Sequence, residues 1–265
     1  MTHTMDETMS RNVNSRTANR NSLIKLTRME WKLFLREPAA MLFGLAMPIV
    51  LLVILGSIPA FRKHDAKLGG LRVIDLYVPI VIGLGLATLC LMLLPGALAS
   101  YREKGVLRRM STTPVPPANL LLARVLIDFP LALVVMLLSV AVGVVVFGTK
   151  IPQQPVGFLI ALILTTLATQ SLGMVVAAVA RTEGMGRGLG MILYYPMMFC
   201  AGVWLPRASM PHVLRRITDF TPLGSGVQAL QDTIAGHWPS LLQIGVLVGF
   251  TLVAGAIAAR LFRWE

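Results

Sequence analysis

Two ionisable side chains sit inside a long apolar stretch of this 265-residue chain: Arg124 and Asp128, four residues apart, with Pro130 just beyond. That spacing puts both on one face of a helix. An ionisable group at membrane depth is a functional candidate by default, yet an i, i+4 pair close to a helix end can satisfy itself, and the structural reading is preferred. Asp128 is the only acid inside a predicted span, so chemistry that needs paired acids, or a nucleophile with its base at depth, lacks its parts. His3, His64, His212 and His237 are scattered without zinc-ligand spacing. Cys90 and Cys200 fall in apolar stretches and read as small buried side chains, not as a disulfide framework. No Gly-Lys dipeptide occurs, which excludes a Walker A loop, and Gly184, Gly186, Gly188 and Gly190 do not spell a phosphate cradle. No Gly-x-Ser-x-Gly elbow is present. The chain is therefore expected not to be an enzyme, and to hold no metal or cofactor of its own.

The elements that carry these residues are set by composition. Apolar residues make up 55% of the chain and charged residues only 14%, a balance that belongs to a bilayer rather than to water. Charge-poor stretches predict six transmembrane helices at about 39–58, 77–99, 120–147, 157–180, 188–205 and 240–260. At about 20 residues per crossing they leave no room for a second folded domain. The expected fold is thus an all-α membrane protein: a polar tail over 1–21, read as disordered and cytoplasmic, and a single six-span domain over 22–265. Pro48 and Pro95 mark expected bends. The net charge of +12 is explained by the membrane rather than by nucleic acid. The segments on the side of the two termini hold 16 Lys and Arg against 8 on the other, so both termini are placed in the cytoplasm of a multi-pass plasma-membrane protein. Arg62, Lys63, Lys67 and Arg72 run against that rule, flanked by Asp65 and Asp75.

Between tail and first span, Lys25, Arg28, Lys32 and Arg36 fall in one narrow arc at 100° per residue, with apolar residues over the rest. This predicts an amphipathic interfacial helix lying on the cytoplasmic surface with its cations toward headgroups. Glu30 interrupts the apolar arc and calls for a basic partner. In the fourth span, Thr165, Thr166, Thr169, Gln170 and Ser171 can hydrogen-bond between helices or line a path, the former being favoured. In the fifth, Tyr194, Tyr195 and neighbouring methionines offer an adaptable surface, so Thr169, Tyr194 and Tyr195 are candidates for a pathway or a dimer seam. Residues 206–239 are too polar to span but helically patterned, predicting two short outer helices opened by Pro211 and near Gly224. Gly245 and Gly249 form a small-x-x-x-small pair in the last span.

Between the second and third spans runs Tyr-Arg-Glu-Lys-Gly-Val-Leu-Arg-Arg-Met-Ser-Thr-Thr-Pro from Tyr101 to Pro114, followed by Pro116 and Pro117. Val106, Leu107 and Met110 can share a helical face ringed by Arg102, Lys104, Arg108 and Arg109, a shape suited to a partner's groove. This run resembles the Glu-Arg-Glu-x-Gly-x-Leu…Thr-Pro signature of ATP-binding-cassette (ABC) type 2 exporter permeases, particularly the daunorubicin-resistance type. Thr221-Pro222-Leu223-Gly224, six spans, an interfacial helix and a long outer segment extend the resemblance over nearly the whole chain after residue 22. Glu103 and Gly105 match the signature, while Tyr101 replaces its first acid and Arg108 a frequently acidic position.

The resemblance implies a permease subunit that moves an amphipathic, drug- or lipid-like substrate out of the cytoplasm. ATP and Mg would be bound, and the ATP hydrolysed, by a separate ABC ATPase subunit, in an assembly of two permeases, identical by expectation, with two ATPases. A polysaccharide or glycolipid exporter permease is the alternative within the family, and a standalone channel or scaffold the alternative outside it. Residues 102–113 would form the coupling helix that touches the ATPase, so that Arg102, Glu103, Gly105, Leu107, Arg109, Thr113 and Pro114 are the expected coupling residues.

Overall fold

The computed structural model describes residues 24–32, 35–36, 41–63, 72–106, 118–207 and 210–261. Among them the protein is helical with no strand. In chain order the helices are α1 (24–32), α2 (Leu42–Ser57), α3 (Val73–Glu103), α4 (Ala118–Phe147), α5 (Pro155–Val179), α6 (Glu183–Cys200), α7 (His212–Asp219), α8 (Pro222–Ile234) and α9 (Leu241–Leu261). Four helical stretches, α3, Ala123–Phe147 of α4, α5 and α9, are long and apolar enough to cross a membrane; α2 is a shorter apolar helix. α6 has the length, but Glu183, Arg187 and four glycines occupy its first half and dilute its apolar content. The expected tail over 1–21 lies outside the described residues.

α3 is the axis of the fold. Its apolar stretch is 83% buried, against 28% for α4 and 22% for α9. α2 and α4 pack on it from one side, α5, α6 and α8 from the others, and α9 lies outermost against α5 and α8. Ile80, Ile82, Leu86, Leu89, Leu91 and Leu94 supply a fully buried row. Backbones approach closely where α5 and α6 meet it. A side chain at Gly173 would collide with the Cys90 carbonyl, and one at Gly190 with the Leu91 carbonyl. In lipid, where apolar surface gains little by leaving the solvent, such close backbone packing is a principal source of helix association.

Both prolines expected to bend their helices follow a locally widened stretch of backbone. The backbone widens to π-helical geometry over Leu42–Ala46, just before Pro48, and over Thr88–Leu93, just before Pro95. Proline removes one donor, and its ring crowds the carbonyl four residues back, so a wider turn there relieves the clash. The first short helix between α6 and α9 starts where expected, just after Pro211, and the second starts two residues before the expected Gly224, at Pro222, with Thr221 capping it by accepting from the Gly224 amide.

Two details depart from expectation. Thr165 and Thr166 of α5 bond within their own helix rather than to a neighbour. Thr165, Thr166 and Thr169 each donate to a carbonyl four residues back in their own helix; Thr169 also meets the Cys90 thiol of α3, and Gln170 and Ser171 reach across to Asp128 and to the Phe250 carbonyl. A hydroxyl one short bond from the backbone finds that local acceptor first. At the opposite end, two of the cations that ran against the charge rule, Arg62 and Arg72, have local partners. Arg62 donates to the Gly56 carbonyl and its guanidinium lies over the Phe147 ring. Arg72 pairs with Asp75 at 2.7 Å and donates to the Phe147 and Gly148 carbonyls, capping the end of α4.

Candidate coupling site

The site is built where α3 ends. Lys104 and Gly105 donate back to the Ser100 and Arg102 carbonyls, and Gly105 turns the chain with φ of 64°. That left-handed conformation strains any residue with a Cβ, which explains the glycine at this point of the run. Two consecutive side chains, on the last turn of α3, then reach the α5–α6 connection in opposite senses. Arg102 donates to the Ala180 carbonyl at 2.7 Å and the Ala178 carbonyl at 3.4 Å, placing a cation on the C-terminal end of α5. Glu103 accepts from the Glu183 amide at 2.8 Å, placing an anion on the first turn of α6. Each charge meets the helix end whose dipole and unsatisfied groups favour it. Thr182 adds the side-chain cap of α6, accepting from the Met185 amide. Glu183 pairs with Arg187 at 2.6 Å and lies 3.9 Å from Lys104. Lys104 itself is 67% exposed, so the surface beside this joint presents positive charge.

Behind the joint lies a buried polar cluster. Glu30 of α1 is 2% exposed, accepts from the Tyr101 hydroxyl, and lies 3.6 Å from Arg124 of α4. Its expected basic partner is therefore Arg124. Asp128, one turn further along α4, accepts from Gln170 of α5 at 2.7 Å. Lys25, Arg28, Lys32 and Arg36 are all exposed, as are Ile24, Met29 and Leu35, whereas Leu26, Thr27, Glu30 and Trp31 face inward.

The ABC-2 type transporter family model matches residues 21–235 of this sequence. The chain belongs to the ABC-2 type transporter family. Relatives include the "Probable multidrug ABC transporter permease YbhS" of Escherichia coli strain K12, 24% identical over 164 residues that cover 61% of this chain and 43% of that protein. The "Inner membrane transport permease YhhJ" of the same strain is 27% identical over 168 residues, 61% of this chain and 45% of its own. "Nodulation protein J" of Rhizobium leguminosarum bv. viciae is 30% identical over 102 residues, 38% and 39% respectively. The matches thus span less than half the length of these relatives.

In this ABC-2 type transporter chain the expected site residues do not all come together. Arg102, Glu103 and Gly105 share the joint described above, while Leu107, Arg109, Thr113 and Pro114 lie outside the described residues. Thr169 is fully buried, bonded within α5 and to Cys90 of α3. Tyr194 meets Thr88 of α3, hydroxyl to hydroxyl, at 3.1 Å, and Tyr195 is 58% exposed on the surface of α6. The sequence reading missed Tyr101 and Gln170 as partners of buried acids. The one available signal was an acid in each apolar surrounding, which announces a partner without naming it.

Proposed function

We propose that this chain is the membrane-spanning permease subunit of an ABC exporter of the daunorubicin-resistance type. It carries an amphipathic drug- or lipid-like substrate out of the cytoplasm with ATP hydrolysed, with Mg, by a separate subunit. The chain itself is not an enzyme. The working unit is two permease copies, with identical chains the simplest case, and two ATPases in the plasma membrane. Each permease copy crosses six times, α2 and α6 completing the set, with both termini cytoplasmic and α1 lying on the inner surface.

The observation that carries this reading is the joint at Arg102 and Glu103. Motion imposed on the loop after α3 acts at once on the end of α5 and the start of α6, through two adjacent side chains on one rigid helix end. That is what a subunit converting a partner's closure into access needs. Energetically, ATP-driven closure must favour the outward-releasing arrangement by a few kcal/mol for a large population shift. The amphipathic substrate is supported by a groove of about 540 Å³ between α4 and α5, lined by Met136, Leu137, Val140, Phe158 and other apolar residues, and by the multidrug name given to the YbhS relative.

Affinity purification in mild detergent, with intact-mass analysis and an ATPase assay, tests it. The expected product holds two permeases and two ATPases, and recovery of the permease alone would favour a channel or scaffold. In that complex Glu103→Ala is expected to keep assembly and ATP hydrolysis while losing vesicle transport of a fluorescent amphipathic dye. Unchanged transport by that variant removes Glu103 from coupling.

A further inference from the structure

We propose that Glu30 is a positioning residue for coupling: a single carboxylate through which the surface helix α1 holds both roots of the loop after α3. This rests on the exporter reading and deepens it.

Tyr101 is on the last turn of α3 and Arg124 is on the first part of α4, so the two partners of Glu30 bracket the whole connecting loop. One carboxylate oxygen accepts from the Tyr101 hydroxyl, and the other lies 3.6 Å from the Arg124 guanidinium. All the charge involved is withdrawn from solvent, Glu30 at 2% exposure and Arg124 at 5%. The neighbouring Trp31 seats the same helix against Leu89, Ile127 and Leu131, residues of α3 and α4.

Seating alone does not need a carboxylate. Trp31 and Leu26 already give α1 an apolar inward face, and an apolar residue at position 30 would bind that surface with no desolvation cost. What a buried acid adds is register. It is satisfied only while both partners stand at their present separation, and moving the roots apart breaks one arm and strands a charge out of water. The joint at Arg102 and Glu103 ties the loop to α5 and α6, and the arm through Arg124 ties it to α4. Gln170, bonded to Asp128 one turn along, continues the connection from α4 to α5. Glu30 therefore gives the exposed cationic helix a mechanical hold on the moving part and makes α1 travel with it.

Two variants separate the arms. Tyr101→Phe removes only the hydroxyl, and Glu30→Gln removes the charge facing Arg124 while leaving an oxygen for Tyr101. With the ATPase co-purified, spin labels at Lys32→Cys on α1 and Arg181→Cys at the α5–α6 turn, in a Cys90→Ala, Cys200→Ala background, report their distance without nucleotide and after trapping with ATP and vanadate. The expected result is a trapping-dependent shift in the otherwise unsubstituted complex that each variant abolishes. ATP hydrolysis and its KM persist, and the double variant loses no more than the worse single one, the signature of a shared element. An intact complex whose variants keep the full shift overturns the positioning role and leaves the exporter reading standing. If Glu30→Gln does not assemble, Tyr101→Phe decides alone. If neither assembles, Glu30 is a folding residue and the role is overturned. A native complex without any ATPase overturns the exporter reading and this one together.

Discussion

Replacing Arg124 by methionine keeps most of the side-chain length and removes the charge. Glu30 would then sit at 2% exposure and, among the described residues, keep the Tyr101 hydroxyl as its hydrogen-bond partner. Removing one member of a buried ion pair typically costs about 3–5 kcal/mol, because the remaining charge stays desolvated. Exposed pairs cost about 1 kcal/mol or less. The difference between those ranges decides the matter, since Arg124 and Glu30 have side-chain exposures of only 7% and 3%. For a chain of this size each kcal/mol lowers the thermal midpoint by about 2–4 °C, so the expected fall is roughly 6–20 °C. The assay is a thermal melt of the detergent-solubilised chain at one fixed scan rate, because membrane proteins that aggregate on unfolding report a rate as much as an equilibrium. The companion variant is Arg124→Met combined with Glu30→Gln. Removing both charges relieves the stranded one, and a double variant more stable than Arg124→Met alone is expected. A fall of under about 3 °C for the single variant, the size of an exposed pair's contribution, would refute the claim that this pair is desolvated.

Gly173→Ala drives a methyl group into the Cys90 carbonyl and forces α3 and α5 apart, an overpacking cost of about 1–3 kcal/mol or more that outweighs the gain of about 1 kcal/mol in helix propensity. Gly245→Ala on α9 meets nothing within 4 Å and is expected to be neutral or slightly stabilising; equal melts for the two variants would contradict the close approach. Arg72→Ala breaks the 2.7 Å ion pair with Asp75 and uncaps α4 at the Phe147 and Gly148 carbonyls, for about 1–2 kcal/mol after allowance for partial exposure. The same melt checks it, and an unchanged midpoint would show that water replaces the guanidinium there.

The helices were legible because their signals are local. Apolar length placed α5 and α9 within a few residues, since a bilayer leaves a chain no other way to satisfy its backbone, and Pro211 and the helical pattern from Gly224 did the same for α7 and α8. Gly105 was legible as a member of a motif, and its positive φ gives the physical reason for it. The partnerships were not legible, and each for the same reason. Glu30 announced that it needed a cation, but nothing near it in sequence distinguishes Arg124, in another helix, from Lys25, Arg28, Lys32 and Arg36 of its own segment. Those four point out because their stripe follows the helical period, and the acid, off that stripe, is carried inward. Arg124 and Asp128 act on each other electrostatically, as their spacing suggested, and each also takes a partner on another helix, Glu30 and Gln170, because burial rewards contacts that satisfy two helices' polar groups at once. Spacing along one helix therefore shows which residues can meet. Which of them do meet is set by the neighbouring helix that supplies the second oxygen or the second proton, and here that competition ties the surface helix, both roots of the loop and the α5–α6 turn into one polar assembly.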